Sequence, residues 1–306
     1  DLTFVWLRRV MGDSERVSET HAFLIGTPKS GTTWLAATLS QNPNICVSNP
    51  KEPNIIATHK GTFSRSVEEP DWELYESFFD GGGIRLDASI HAFSCPEAPG
   101  RISDRFDDPR FVLSFREPVS RVFSHWRMVL DSGEAKKNGV DWSDFESAWE
   151  DERLRCDSRY GSSMERWLQK FPLDRFYIID RSDLRPRPVE VLEELEQFLG
   201  LPQHDYNIDM SRNSNSASRR RPISAIGKAI RLVFSLVPQM IKGPVVRVLQ
   251  KKDLNIYNAP ILSSAVPLLK AQEEHYRICE KTVSEEVQLL SKLTGFESKG
   301  WTEKQN

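Results

Sequence analysis

The 306-residue chain contains no apolar run approaching the ~20 residues that span a bilayer, and no signal peptide is evident at its start. It begins at Asp1 rather than at methionine, which leaves room for a removed segment. Its four cysteines, Cys46, Cys95, Cys156 and Cys279, are widely spaced and form no C-x-x-C pair. Zinc and thiol-redox chemistry therefore lack their usual signature, and no metal site is expected. Cys46 lies in a strand-like segment and reads as a small buried apolar residue. No Asn-x-Ser/Thr acceptor occurs. There is no basic excess either: 41 Lys and Arg against 44 Asp and Glu leave a net charge of −3, which argues against a general nucleic-acid binder.

One absence is local and more informative. Gly26-Thr27-Pro28-Lys29-Ser30-Gly31-Thr32-Thr33-Trp34 has the glycine spacing of the nucleoside-triphosphatase phosphate loop, G-x-x-x-x-G-K-[ST]. It lacks that loop's lysine, because Thr32 occupies the slot and Lys29 lies inside the loop. The apolar run His21-Ala22-Phe23-Leu24-Ile25 before it reads as a buried strand, and Thr32 to Leu39 after it reads as a helix. A glycine loop between strand and helix leaves backbone N–H groups and the positive end of a helix dipole for a phosphate. The glycines allow backbone angles and an approach that other residues forbid.

Pro28-Lys29-Ser30-Gly31-Thr32-Thr33-Trp34-Leu35 resembles the 5′-phosphosulfate loop of sulfotransferases that use 3′-phosphoadenylyl sulfate (PAPS). The resemblance implies that the loop binds the 5′-phosphate. Lys29 would reach the oxygen bridging phosphorus and sulfur, and Thr32 and Thr33 would hold the phosphate. Trp34 would stack on adenine as in some members, and it suits a core position on the first helical turn equally well. A second stretch, Arg116-Glu117-Pro118-Val119-Ser120-Arg121-Val122-Phe123-Ser124, follows the apolar run 111–115. Pro118 suits a first helical turn, so Arg116 falls at a strand's carboxyl end, where ligands bind in open α/β sheets. Ser124 lies one turn beyond Arg121, so one anion could touch both arginine and hydroxyl. The pattern is similar to the family's R-[DE]-P-x-x-R-x-x-S, which implies that Arg116 and Ser124 bind the 3′-phosphate of PAPS, with 3′-phosphoadenosine 5′-phosphate (PAP) as product.

Strand-like segments 22–26, 84–88, 111–115 and 175–179 alternate with helical stretches. That alternation predicts a three-layer α/β/α fold with a mostly parallel central sheet and a C-terminal helical extension. One domain is expected over 1–306: a core over 20–205, a basic loop and helical lid over 212–255, and terminal helices over 260–301. Met164, Trp167, Leu168 and Phe171 fall at helical spacing and read as core, while Tyr160 or Ser163 is expected to line an acceptor cleft. Val189 to Leu199 reads as a helix stopped by Gly200 and Pro202.

Transfer to an alcohol needs a base within hydrogen-bond reach of the hydroxyl. Lys51-Glu52-Pro53 resembles the Lys-Glu-Pro of several carbohydrate sulfotransferases, the heparan sulfate group included, which implies Glu52 as base. Lys51 beside it would favour the ionised carboxylate. His91 is the rival, in the stretch where heparan-type enzymes have Glu-Lys-Ser/Thr-Pro-x-Tyr and cytosolic members place a histidine nearby. His59 is a weaker one. The family's lysine is replaced here by Ala88, so a second cation near the sulfuryl group is missing or comes from elsewhere.

The family commonly closes a basic loop over the 3′-phosphate and adenine, a role that falls to one of Arg219, Arg220 and Arg221. Residues 223–252 mix apolar and basic residues without an acid, which fits a helical lid or a peripheral contact with an anionic membrane. The cysteine spacing and missing glycosylation acceptor, compared with Golgi members, lead to a cytoplasmic, bacterial-type expectation, with the Golgi lumen as the alternative if the source is eukaryotic. The predicted function is sulfuryl transfer from PAPS to a hydroxyl-bearing acceptor, a carbohydrate, glycolipid or small alcohol. Two alternatives stand beside it. One is a P-loop kinase or nucleoside triphosphatase, in which Asp180 would end the Phe176–Ile179 run as a magnesium ligand. The other is a catalytically degenerate PAP-binding protein.

Overall fold

The computed structural model describes residues 17, 19–208, 269–298 and 301. Five parallel strands form its central sheet: β1 (His21–Gly26), β2 (Ile45–Val47), β5 (Ile84–Asp87), β6 (Pro109–Phe115) and β7 (Phe176–Asp180), in the order β2-β5-β1-β6-β7. A separate two-stranded ribbon pairs β3 (His59–Lys60) with β4 (Ser64–Arg65). All six residues of β1 are buried, as a central strand covered on both faces requires.

Alternation along the strands supplies two cores, because successive side chains point to opposite faces. Phe23 and Ile25 of β1 and Phe111, Leu113 and Phe115 of β6 pack on one face. Ala22, Leu24 and Val112 pack on the other. The second face is covered by α1 (Thr32–Leu39) and α9 (Pro188–Leu199), through Leu35, Leu39, Leu192 and Leu195. The first is covered by α3 (Ala98–Arg105), α8 (Tyr160–Leu168) and α10 (Glu273–Thr294), through Ile102, Met164, Trp167 and Leu290. The result is the expected three-layer α/β arrangement. A third cluster joins α4 (Pro118–Ser132), α5 (Glu134–Lys137) and α6 (Phe145–Glu150) to Cys279 of α10, around Trp126, Trp142 and Trp149.

Helix α10 is keyed to α8 by close approach. A Cβ on Gly161 would sit 2.6 Å from the Glu286 carbonyl oxygen and from Leu289 Cβ. Glu286 accepts from the Ser162 amide at 2.7 Å and from its hydroxyl at 2.5 Å. Helix α9 begins at Pro188 and ends at Gly200, which takes φ 71°. After β5 the chain crosses to β6 on the other side of β1, so strand order reverses at β1. That reversal opens a crevice at the carboxyl end of β1, where the loop around Lys29 sits.

Candidate active site

Between β1 and α1 the backbone bends twice into the left-handed region, at Lys29 (φ 71°) and at Gly31 (φ 89°). Gly31 tolerates this without strain. A Cβ there would also meet Leu184 Cδ1 at 2.8 Å. Lys29 is not a glycine and carries the strain of that conformation. The loop is braced from β6: the Thr27 amide donates to the Ser114 carbonyl at 3.0 Å, and the Ser114 hydroxyl donates to the Ser30 carbonyl at 2.7 Å. Thr27 and Ser30 hydroxyls share a 2.8 Å hydrogen bond. The N-cap of α1 is Gly31, which supplies no side-chain cap. The first turn of α1 presents the positive end of the helix dipole, which suits an anion. Pro28 is buried, Thr33 is half-buried, and Thr32 is buried under the turn. Trp34 is 9% exposed and packs with Leu35 and Ala36 in the core of the α1 face, so its burial matches a core role.

The Lys29 ammonium reaches across to α4, 3.6 Å from Met128 Sδ, a weak acceptor. Arg116 closes the other side, its Nη1 donating to the Lys29 carbonyl at 3.4 Å. The Arg116 carbonyl is fixed by the Tyr160 hydroxyl at 2.9 Å. Burial, and next the charge of nearby Arg181, bring the Arg116 guanidinium down to about 10. Arg181 is itself lowered by burial and then by Arg185, and its Cγ lies 3.9 Å from where a Gly31 Cβ would be. Two half-buried arginines of like charge thus flank the start of α1 and feel one another, an arrangement that an anion would relieve. Ser124 is half-buried on α4. Arg121 is not the arginine that could share an anion with it. It is fully buried and turned inward, donating to Ser158 Oγ at 3.2 and 2.6 Å and to the Leu154 carbonyl at 3.4 Å.

The two base candidates sit past the ends of β2 and β5. Glu52 is held by Lys51, whose Nζ lies 2.5 Å from Oε1 and 3.5 Å from the Ala88 carbonyl. Lys51 thereby places a cation beside the Ala88 backbone carbonyl. His91 is 8% exposed, with its Nδ1 3.4 Å from Asp157 Oδ2. His59, on β3, is pushed down to about 4, by burial first and then by Arg65. Asp180 caps the 3₁₀ turn Arg181–Leu184, accepting from the Ser182 amide at 2.8 Å, and β6 separates it from the loop strand.

A family model for the sulfotransferase domain matches residues 19–223, a span that includes the loop, Arg116 and both base candidates. The chain belongs to the sulfotransferase domain family. It is 28% identical over 198 residues to mouse heparan sulfate glucosamine 3-O-sulfotransferase 5, covering 61% of this chain and 56% of that protein. It is 24% identical over 190 residues to the Caenorhabditis elegans bifunctional heparan sulfate N-deacetylase/N-sulfotransferase 1, covering 60% of this chain and 22% of that protein. The chain thus spans about half the length of the first relative and less of the second. Among solved structures, a sulfotransferase from Alicyclobacillus acidocaldarius superposes with TM-score 0.62 at 17% identity, over 93% of this chain and 99% of that one. That likeness is one of fold.

Within the sulfotransferase domain, the described residues bring Lys29, Arg116 and the α1 amides together, and place Glu52 and His91 at neighbouring strand ends. Arg219, Arg220, Arg221 and residues 223–252 lie outside the described residues. Tyr160 and Ser163, expected at an acceptor cleft, are 0% and 1% exposed, so neither presents a side chain to an open cleft. Both face inward on α8, and Tyr160 stacks against Phe115 at 4.5 Å. The motifs did not single out Arg181, His125 or Asp157. His125 sits four residues after Arg121 on one helical face, a weak signal at best. Asp157 had none. No helix among the described residues is long and apolar enough to cross a membrane.

Proposed function

We propose that this sulfotransferase domain moves the sulfuryl group of PAPS to an acceptor hydroxyl by in-line displacement. The observation that carries the reading is the displaced lysine: Lys29 lies inside the loop in a left-handed conformation, beside an α1 N-terminus whose N-cap is Gly31. The residues present fit the donor. The α1 amides, Ser30, Thr32 and Thr33 would hold its 5′-phosphate, and Arg116 with Ser124 its 3′-phosphate. When bound, the donor supplies an activated sulfuryl group with a phosphate as leaving group. Lys29 and the loop amides meet the charge developing on that phosphate, the electrostatic role that usually contributes most to rate. A slot without lysine at Thr32 leaves a γ-phosphate unserved, which argues against the kinase reading.

The acceptor proton goes to Glu52 in the reading that follows the Lys-Glu-Pro resemblance. A specific observation favours His91 instead: a buried carboxylate, Asp157, stands behind its Nδ1. Glu52→Gln and His91→Gln separate the two, because only loss of the base removes turnover while leaving PAP affinity intact. The names of the curated relatives support a carbohydrate acceptor. Four free cysteines support a reducing, cytoplasmic setting. The test is transfer of label from PAPS to a panel of oligosaccharide and alcohol acceptors. Transfer by the wild type that persists undiminished in Lys29→Ala would overturn the mechanism.

A further inference from the structure

One buried acid belongs to none of the motifs, yet it stands behind one of the two base candidates. Asp157, on the 3₁₀ turn Cys156–Ser158, is 2% exposed. Its Oδ1 accepts from the Ser94 hydroxyl at 2.7 Å. Its Oδ2 has no hydrogen-bond partner of good geometry, yet lies 3.4 Å from His91 Nδ1 and 3.7 Å from His125 Nδ1. A buried carboxylate is costly unless paired, so the two imidazoles beside it need explaining. Burial opposes its ionisation, but His91, Arg121 and His125 together hold the Asp157 carboxyl below the usual carboxylate range.

The proton between these three groups can be placed by elimination. His125 Nδ1 lies 3.4 Å from Arg121 Nη1, and a guanidinium only donates, so this nitrogen accepts. The His125 proton therefore sits on Nε2, 2.8 Å from the Thr62 hydroxyl. Burial pushes His125 well below its ordinary value, which keeps it neutral. The group left to give Oδ2 a proton is His91, through Nδ1–H. His91 Nε2 then carries the lone pair that an acceptor hydroxyl would need.

We infer that Asp157 is a positioning residue that fixes His91 in the Nδ1–H tautomer and so aims its Nε2 as the proton acceptor of the transfer. The inference rests on the reading of His91 as base. The charged groups around the pair are Arg121 and His125 from α4, Lys29 from the loop, and His59 from β3, with Arg65 and Glu97 beside His59.

The experiment combines three variants with one spectrum. Asp157→Asn is expected to lower kcat about 10- to 100-fold, the range seen when a carboxylate behind a ligating imidazole is removed. PAP affinity should stay unchanged, and Asp157→Glu should recover part of the loss. In a His91→Gln background Asp157→Asn should cost little more. Nitrogen-15 histidine spectra of the wild-type protein, with the His91 signal assigned by its loss in His91→Gln, need no Asp157 variant to fold. They should show Nδ1 protonated and Nε2 bare. An Nε2–H tautomer, or wild-type kcat in Asp157→Asn, overturns the positioning role while the base reading stands. Full turnover in His91→Gln overturns both.

Discussion

Replacing Lys29 by glycine separates the chemistry of the loop from its folding. Lys29 has φ 71°, a conformation that costs an L-residue roughly 1–2 kcal/mol and glycine almost nothing. The added freedom of glycine in the unfolded chain takes back roughly 0.5–1 kcal/mol. The Lys29 ammonium lies 3.6 Å from Met128 Sδ, one of its contacts. The backbone part of the change in stability is therefore between about 0 and 1.5 kcal/mol in favour of the variant, from the same two ranges. Activity should move the opposite way. Removing one preorganised donor from a developing oxyanion costs about 2.7–4 kcal/mol, or 10²–10³ in kcat. The assay is thermal melting and transfer of labelled sulfate on one preparation. Lys29→Gly should give a cooperative melt, which shows a folded variant, and turn over at least about a hundredfold more slowly. Turnover above about a tenth of wild type in that folded variant would refute the assignment of Lys29 to the leaving phosphate.

Arg116→Ala should weaken PAP binding by about 10- to 100-fold in calorimetry, the size of a charge-assisted contact, with melting little changed. Gly161→Ala forces a Cβ to within 2.6 Å of the Glu286 carbonyl and should lower the melting temperature by lifting α10 from α8. A melting temperature within a degree of wild type would contradict that packing. His21 is depressed to about 3 by burial and next by Arg85, so the unfolded chain takes up its proton first. Stability should therefore fall as pH drops from about 6.5 towards 3, by up to a few kcal/mol at about 1.4 kcal/mol per unit. Asp87, raised to about 6 by burial, works in the opposite sense between 3.8 and 6. His21→Phe, which fits among Phe23, Phe79 and Phe106, should flatten the fall in melting temperature between pH 7 and pH 5.

The strands and the loop were legible because their determinants are local. The segment 22–26 is a strand over His21–Gly26, 111–115 lies within Pro109–Phe115, and Thr32–Leu39 is a helix with the expected bounds. Local patterns fail where two environments favour the same residue. Trp34 and Tyr160 carry rings that suit a ligand face or a core, and burial decides only once the helices pack. Arg121 repeats this for charge: its spacing in the motif places it near Ser124, while its guanidinium points inward to Ser158. The grouping of Asp157 with His91 and His125 joins an acid from a 3₁₀ turn, a residue after β5 and a residue on α4. No periodicity links positions so far apart in sequence.

Calorimetry with PAP in the presence of EDTA tests the central claim most directly. A loop whose positive charge comes from Lys29, Arg116 and helix amides should bind the nucleotide one-to-one without magnesium, and more tightly than the analogue lacking the 3′-phosphate. Absence of saturable binding in EDTA, or equal affinity for the two nucleotides, would contradict the account.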